Sequence, residues 1–269
     1  MNSEKNITGS EVVETADKRQ YHINLAPGEV AENILFVGDP SRATRVKDFF
    51  TEVNLKRKNR EFVTYTGVYN NKPITVMATG IGPSNVEIAM VELSRVVKPN
   101  VIIRVGTCGS LQPHIKLGDL VVSTGAVRLE DTSLRFVGPE YPSIAHHEVI
   151  FSLINACKTL DYPYHTGITA AASGFYGAQG REVPGFPVNN PSLPDELAKR
   201  NVANFEMESS TLFTLASIIG WRAGTVCTVY ANRPNGTFIP ADFKEEAEKR
   251  CILAGLKAAT TIDEMKINF

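Results

Sequence analysis

Val101-Ile102-Ile103-Arg104-Val105-Gly106-Thr107-Cys108-Gly109 begins as an apolar, β-branched run and ends in glycines, a hydroxyl and a thiol. Runs of that kind form strands buried on both faces, as in parallel sheets. The glycines predict that the strand stops at Val105, leaving Arg104 at its end. Working outward, similar apolar runs recur over residues 34–37, 120–123, 168–172 and 223–230. Residues 62–68 and 73–78 flank Asn70-Asn71 and predict a hairpin. Between these runs the spacing becomes helical. Pro83 suits a first helical turn, and Val86, Met90, Leu93 and Val97 follow it as one stripe. Further helices are expected over residues 145–160 and 207–219 and from Asp242 onward. This alternation implies an α/β fold, a single domain whose central mixed, mostly parallel β-sheet is flanked by helices. Ligands in such sheets collect at the carboxyl ends of the strands.

The 269 residues suit one large domain, 43% apolar and 21% charged, as in an ordinary globular protein. A formal net charge of -1 offers no field for nucleic acid or an anionic membrane, so an anionic ligand needs a local arginine cluster. The four cysteines, Cys108, Cys157, Cys227 and Cys251, have no metal-binding spacing and read as free thiols in a reducing compartment. Residues 1–20 are polar and are expected to form a mobile arm ahead of a domain over residues 21–269. That segment lacks the apolar core of a secretory signal, and no run is long enough to span a membrane, so a cytoplasmic location is expected.

Four loops concentrate polar chemistry. Gly38-Asp39-Pro40-Ser41-Arg42 follows the first strand, and Arg104 to Gly109 follows the second apolar run. Together they offer two guanidinium forks, backbone N–H groups and a hydroxyl, a set suited to phosphate. Taken singly, each is also a plain turn with a surface arginine. In Asn204-Phe205-Glu206-Met207-Glu208, Glu208 leads an apolar stripe through Leu212, Leu215 and Ile219. It is therefore expected to be desolvated, needing a helix N-terminus or ligand hydroxyls for company. Phe175-Tyr176-Gly177-Ala178-Gln179-Gly180-Arg181 joins an aromatic face to an amide and a guanidinium, which suits the edge and face of a planar base.

These blocks, in this order, resemble the uridine phosphorylases of the nucleoside phosphorylase superfamily over nearly all of residues 22–260. The matching stretches are GDPSR (38–42), REF (60–62), TGIG (79–82), IIRVGTCG (102–109), LQPHIKLGD (111–119), FYGAQGR (175–181), NFEMESSTLF (204–213) and ANR (231–233). The resemblance implies phosphate-dependent, reversible cleavage of uridine to uracil and ribose 1-phosphate, with phosphate as co-substrate and no organic cofactor. It implies phosphate binding by Gly38, Arg42, Arg104 and Thr107, joined by Arg60 from a neighbouring subunit. Thr107, Glu206, Met207 and Glu208 would hold the ribose, with His22 of a neighbouring subunit at its far end. Cys108, Gly109, Phe175, Gln179 and Arg181 would take the base, with Arg233 behind them. Arg104, Gln179, Arg181 and Glu208 would carry the catalysis.

The implied assembly is a homodimer at minimum, or a hexamer built as a trimer of dimers. A monovalent cation at the subunit interface would use Glu61, Ile81 and Ser84, although the turn here reads Gly82-Pro83 where bacterial relatives carry two glycines. The rival readings are a purine nucleoside phosphorylase or a nucleosidase of the same superfamily. Against the first, residues 227–236 supply no acid to protonate a purine at N7. Against the second, a nucleosidase has little use for phosphate arginines.

Overall fold

The computed structural model describes residues 9–264. Among these residues ten strands form one sheet. In chain order they are β1 (Asn33–Val37), β2 (Glu52–Asn59), β3 (Phe62–Tyr69), β4 (Lys72–Ala78), β5 (Val101–Ser110), β6 (Leu120–Leu129), β7 (Tyr164–Ala172), β8 (Val202–Glu206), β9 (Ala223–Asn232) and β10 (Thr237–Phe238). The sheet order is β10-β9-β6-β7-β8-β5-β1-β4-β3-β2, and β9 also pairs with β5. That extra pairing closes β5, β8, β7, β6 and β9 into a ring, from which β1, β4, β3 and β2 extend as an open wing. The sheet is mixed. Parallel pairings join β1 to β4 and β5, β5 to β9, and β7 to β6 and β8, while the hairpins and the β5–β8 and β6–β9 contacts are antiparallel.

Among the described residues six α-helices cover the sheet: α1 (Pro40–Lys47), α2 (Pro83–Ser94), α3 (His147–Thr159), α4 (Leu193–Lys199), α5 (Ser209–Ile218) and α6 (Ala241–Thr261). The period-2 alternation of β1 and β5 sends their side chains into the two larger of four core clusters. Leu35, Val37, Val101, Ile103 and Val105 pack with residues of α1, α3 and α6. Ile34, Phe36 and Ile102 face the other way, toward α2 and α5. Arg104 shares the parity of Ile102, so its side chain leaves β5 on the α2–α5 side.

The Asn70-Asn71 hairpin forms as expected, both residues adopting the left-handed backbone (φ 48° and 60°) that a two-residue turn requires. Three expectations are corrected. Strand β5 does not stop at Val105. It runs to Ser110 in register with β9, absorbing the irregularity as a bulge at Cys108/Gly109. Gly106 is present for clearance: a Cβ there would lie 2.9 Å from both the Arg104 guanidinium and the Cys227 sulfur. Arg104 is thus a mid-strand residue. The GDPSR stretch is not a free turn either, because Asp39 caps α1 by accepting from the Ser41 N–H at 2.8 Å, with Pro40 at the first helical position. Helix α5 starts at Ser209, not at Met207.

Of the arm expected over residues 1–20, residues 1–8 lie outside the described residues. Further on, Glu14 bridges to Gln20, which is buried, and Arg19 forks onto Glu29.

Candidate active site

A cavity of about 730 Å³ opens where β1, β4, β5, β8 and β9 end, the position expected for a ligand in an α/β sheet. Its floor is built around Arg104, which is almost fully buried. Arg104 Nε donates to Glu206 Oε2 at 2.9 Å, and its Nη2 meets Glu208 Oε2 at 2.5 Å. Burial works against the Arg104 charge, yet the two carboxylates hold its pKa above the ordinary arginine value. One guanidinium between two buried acids leaves an excess of negative charge. Burial accordingly raises the Glu208 pKa, Arg104 opposes the shift, and Glu206 adds to it.

The two acids are held differently. Glu206 accepts from the backbone N–H groups of Glu208 (2.9 Å) and Ser209 (3.0 Å), so it is Glu206 that satisfies the N-terminus of α5. Glu208 turns away from that helix end. Its Oε1 accepts the Gly82 N–H at 2.7 Å, tying the β8–α5 junction to the turn before α2.

At one end of the cavity Arg42, buried on α1, donates from Nε to Glu248 at 2.6 Å and from Nη1 to the Val105 carbonyl at 3.3 Å. Glu248 belongs to α6 and also binds Arg45 at 2.7 Å, while Arg45 reaches Asp39 at 3.1 Å. Burial opposes ionisation of Glu248, but Arg42 and Arg45 keep its pKa below the usual value. Tyr230 donates to the same carboxylate at 3.3 Å, and burial followed by the Glu248 charge pushes its pKa up to about 12.

At the other end Arg181 lies over the Phe175 ring, 4.0 Å from its centroid, and donates to the Phe175 carbonyl (2.6 Å) and to Gln179 Oε1 (2.5 Å). The Gln179 amide oxygen is thus engaged, while its amide N–H groups have no hydrogen-bond partner among the described residues. Desolvation, then the nearby Arg233, lower the Arg181 pKa to about 10. Arg233 does not line the cavity. It donates to the Gln179 carbonyl at 2.6 Å and supports the loop from behind. Cys108 and Gly109 form the wall between the two ends. Burial, then neighbouring Cys227, raise the Cys108 pKa well above that of a free thiol, so it stays a neutral wall residue.

The cavity therefore gathers Gly38, Arg42, Arg104, Thr107, Cys108, Gly109, Phe175, Gln179, Arg181, Glu206, Met207 and Glu208, together with Glu61 and Ile81. It does not gather His22, Arg60 or Ser84. Ser84 is exposed on the first turn of α2. His22 and Arg60 share one patch of surface, where Asn59 donates to the His22 carbonyl at 2.7 Å and Arg60 to the Tyr21 hydroxyl at 3.2 Å. Sequence reasoning missed Tyr230 and Phe238 in the cavity wall and Glu248 behind Arg42. Tyr230 closes an apolar strand run, a legible position, whereas Glu248 carries no local signal.

The profile of the phosphorylase superfamily matches residues 33–265. A uridine phosphorylase of Thermococcus kodakarensis is 44% identical over 238 residues, covering 87% of this chain and 85% of its own length. A guanosine phosphorylase of Halorubrum lacusprofundi is 34% identical, with 86% of this chain and 91% of the relative aligned. The crystal structure of a Trypanosoma brucei nucleoside phosphorylase, described as showing uridine phosphorylase activity, superposes with a TM-score of 0.86 at 28% identity, over 92% of this chain and 99% of that one. A cavity with arginines at both ends and buried acids between them, in a fold that this nucleoside phosphorylase shares over 92% of the chain, leaves one conclusion: the chain belongs to the phosphorylase superfamily, among the nucleoside phosphorylases.

Proposed function

We infer that the protein is a uridine phosphorylase, which uses inorganic phosphate to convert uridine reversibly to uracil and ribose 1-phosphate. The observation that carries this reading is the division of one cavity into three chemistries in line. Arg42, Arg104, Thr107 and Gly38 offer positive charge and donors for phosphate. Glu208, Glu206 and Met207 face the middle, where a carboxylate can accept hydrogen bonds from ribose hydroxyls. Gln179 and Arg181 offer donors to the oxygens of a pyrimidine, beside Phe175 and Cys108-Gly109.

Cleavage of the glycosidic bond leaves positive charge on the ribose and negative charge on the departing uracil. Phosphate held below C1′ stabilises the first and then bonds to that carbon. Arg181 and Gln179 stabilise the second, so positioning and electrostatics supply the rate.

The charge balance of the phosphate end calls for a second copy of the chain. Arg42, Arg45 and Arg104 face Asp39, Glu206, Glu208 and Glu248, three guanidiniums against four carboxylates. A phosphate dianion entering that field needs further positive charge, which Arg60 of a second copy supplies, with His22 of that copy at the sugar. The assembly is then a homodimer at least, and a trimer of dimers remains compatible with it.

The interface cation belongs to the same proposal. Glu61 lies against Gly80, and its carboxylate, the Ile81 carbonyl and the Ser84 hydroxyl are hard oxygen donors of the kind alkali cations take. Replacing sodium by potassium at constant ionic strength should change activity, and an unchanged rate would remove the ion. All four cysteines are free and buried, and among the described residues no helix is long and apolar enough to cross a membrane. Both facts agree with a cytoplasmic enzyme.

The similarity to a guanosine phosphorylase makes a purine substrate the second reading. The β9–β10 segment puts Tyr230, Ala231 and Phe238 into the cavity and no carboxylate, which favours the pyrimidine. Phosphate-dependent cleavage of uridine, guanosine and inosine, measured side by side, decides the matter. Uridine is expected to be fastest by a wide margin. Faster guanosine or inosine cleavage overturns the base assignment, and cleavage without phosphate overturns the phosphorylase.

A further inference from the structure

We propose that Glu92 is a positioning residue for the sugar, acting through His22: it fixes the imidazole as the Nδ1–H tautomer and leaves Nε2 as a hydrogen-bond acceptor for the exocyclic hydroxyl of the ribose. The proposal rests on the reading that His22 of one copy completes the site of another.

Glu92 sits on the third turn of α2 and its side chain is almost entirely buried. A buried carboxylate needs partners for both oxygens, and all of those found here come from one short segment. Its oxygens accept the His22 backbone N–H at 3.1 and 3.0 Å, the Ile23 N–H at 2.8 Å and the His22 ring at Nδ1, 2.5 Å away. A carboxylate can only accept, so the ring nitrogen facing it must carry the hydrogen. In the neutral imidazole the other nitrogen, Nε2, then presents a lone pair, and it makes no hydrogen bond among the described residues. A carboxylate behind a histidine is a familiar means of fixing ring orientation and tautomer.

The same contacts place the ring. Ile23 is buried in the α2–α5 core and Asn59 binds the His22 carbonyl, so backbone and side chain are both anchored. The Tyr21 ring stands edge-on against the imidazole, centroids 4.9 Å apart. Arg60, the other residue assigned to the second copy's site, stacks on Tyr21 at 5.3 Å. Both residues are thus presented by one anchored patch, with Glu92 at its root.

Glutamine at position 92 keeps the shape and one acceptor oxygen but puts an N–H₂ group beside the other position. The ring then meets a donor at Nδ1, and the hydrogen moves to Nε2. The test compares kcat/KM for uridine and for 5′-deoxyuridine, which lacks the exocyclic hydroxyl, in the wild type, Glu92→Gln, His22→Ala and the double variant. Wild type should prefer uridine, and His22→Ala should abolish the preference. Glu92→Gln should lose several-fold more on uridine than on 5′-deoxyuridine, and the double variant should match His22→Ala alone.

The ¹⁵N shifts of the His22 ring should report Nδ1–H in wild type and Nε2–H in Glu92→Gln. An equal loss on both substrates, an unchanged preference in Glu92→Gln, or unchanged ring shifts would overturn the role of Glu92 while His22 keeps its place. If His22→Ala itself leaves the preference intact, it is the reading of His22 that fails.

Discussion

Glu248 meets the Nε of Arg42 at 2.6 Å across 206 residues of sequence. The contact fixes where the guanidinium edge of Arg42 points, because one of its donors is already directed away from the cavity and a second binds the Val105 carbonyl. Glu248→Gln removes the charge that holds both Arg42 and Arg45. A charge-assisted hydrogen bond of this sort is worth about 1.5–3 kcal/mol, and losing it should outweigh the removal of one carboxylate from the anion's field, so the KM for phosphate should rise roughly tenfold or more. The KM for uridine should change far less. Phosphate titrations at saturating uridine measure this, and an unchanged phosphate KM would separate Glu248 from the anion site.

Gly106 tests the packing of Arg104. A methyl group placed there would lie 2.9 Å from the guanidinium and from the Cys227 sulfur. Something has to shift, and the atoms in the way are the ends of the Arg104 and Cys227 side chains. Gly106→Ala should therefore lower kcat/KM by at least about tenfold, equivalent to roughly 1.4 kcal/mol of transition-state stabilisation, while the protein still folds. Activity at wild-type level, alongside unaltered thermal stability, would show that the strand accommodates the methyl group and that Arg104 does not depend on it.

The proposed sharing of Arg60 between copies predicts complementation. Arg60→Ala and Arg104→Ala should each be nearly inactive alone. In a mixed dimer one site receives Arg104 from one chain and Arg60 from the other. Random exchange in a symmetric dimer then restores about a quarter of the sites. Mass spectrometry establishes that subunits have exchanged. Exchange without recovered activity would refute the shared site.

Glu29 makes a prediction about acid stability. Its hydrogen bonds from Arg19, opposed by desolvation and helped by the Ala26 N–H, lower its pKa from 4.5 to about 2. A carboxyl whose pKa falls on folding stabilises the fold fully above its unfolded value, and that contribution is lost as pH drops toward the folded value. Glu29→Gln should cost about 1–2 kcal/mol at neutral pH, allowing for solvent around the pair. The difference between wild type and variant in urea unfolding should shrink between pH 4.5 and about 2. A difference that persists unchanged at acid pH would argue that Glu29 acts through packing.

The parts of the fold that were legible in the sequence are those whose physics is local. Central strands such as β1 and β5 are apolar runs, and α2 announces itself with a proline and a stripe. The Asn70-Asn71 turn is specified by two residues that tolerate a left-handed backbone. Strand β8, Val-Ala-Asn-Phe-Glu, escaped notice because its Asn204 and Glu206 look like surface residues, although every position is buried. Their burial depends on partners elsewhere: Thr169 for Asn204 and Arg104 for Glu206. Strand β2 escaped for the opposite reason, since Lys56, Arg57 and Lys58 guard a sheet edge and leave little apolar signal. The continuation of β5 through Gly106 is likewise decided by the neighbouring strand.

In the candidate site, residue type and order identified the cavity residues at both ends. The helix-end role expected for Glu208 fell to Glu206, because α5 begins two residues later than the apolar stripe suggested. The grouping of Glu248 with Arg42 exists only in three dimensions, as does that of Glu92 with His22. Neither pair has a spacing that a linear reading can find.

Glu206 serves two masters, and that constrains how such a site can change. The same carboxylate neutralises Arg104 and satisfies the first N–H groups of a helix whose first eight residues are buried. Removing it to alter the sugar or phosphate end would also unsettle the middle of the molecule. The proposed base end has no such tie to a helix start, for Gln179 and Arg181 lie on a short loop that Ala178 seats on the core and Arg233 supports from behind. A scaffold wired this way can be retuned for a new base one loop residue at a time, whereas its sugar and phosphate chemistry is inherited whole or lost with the fold.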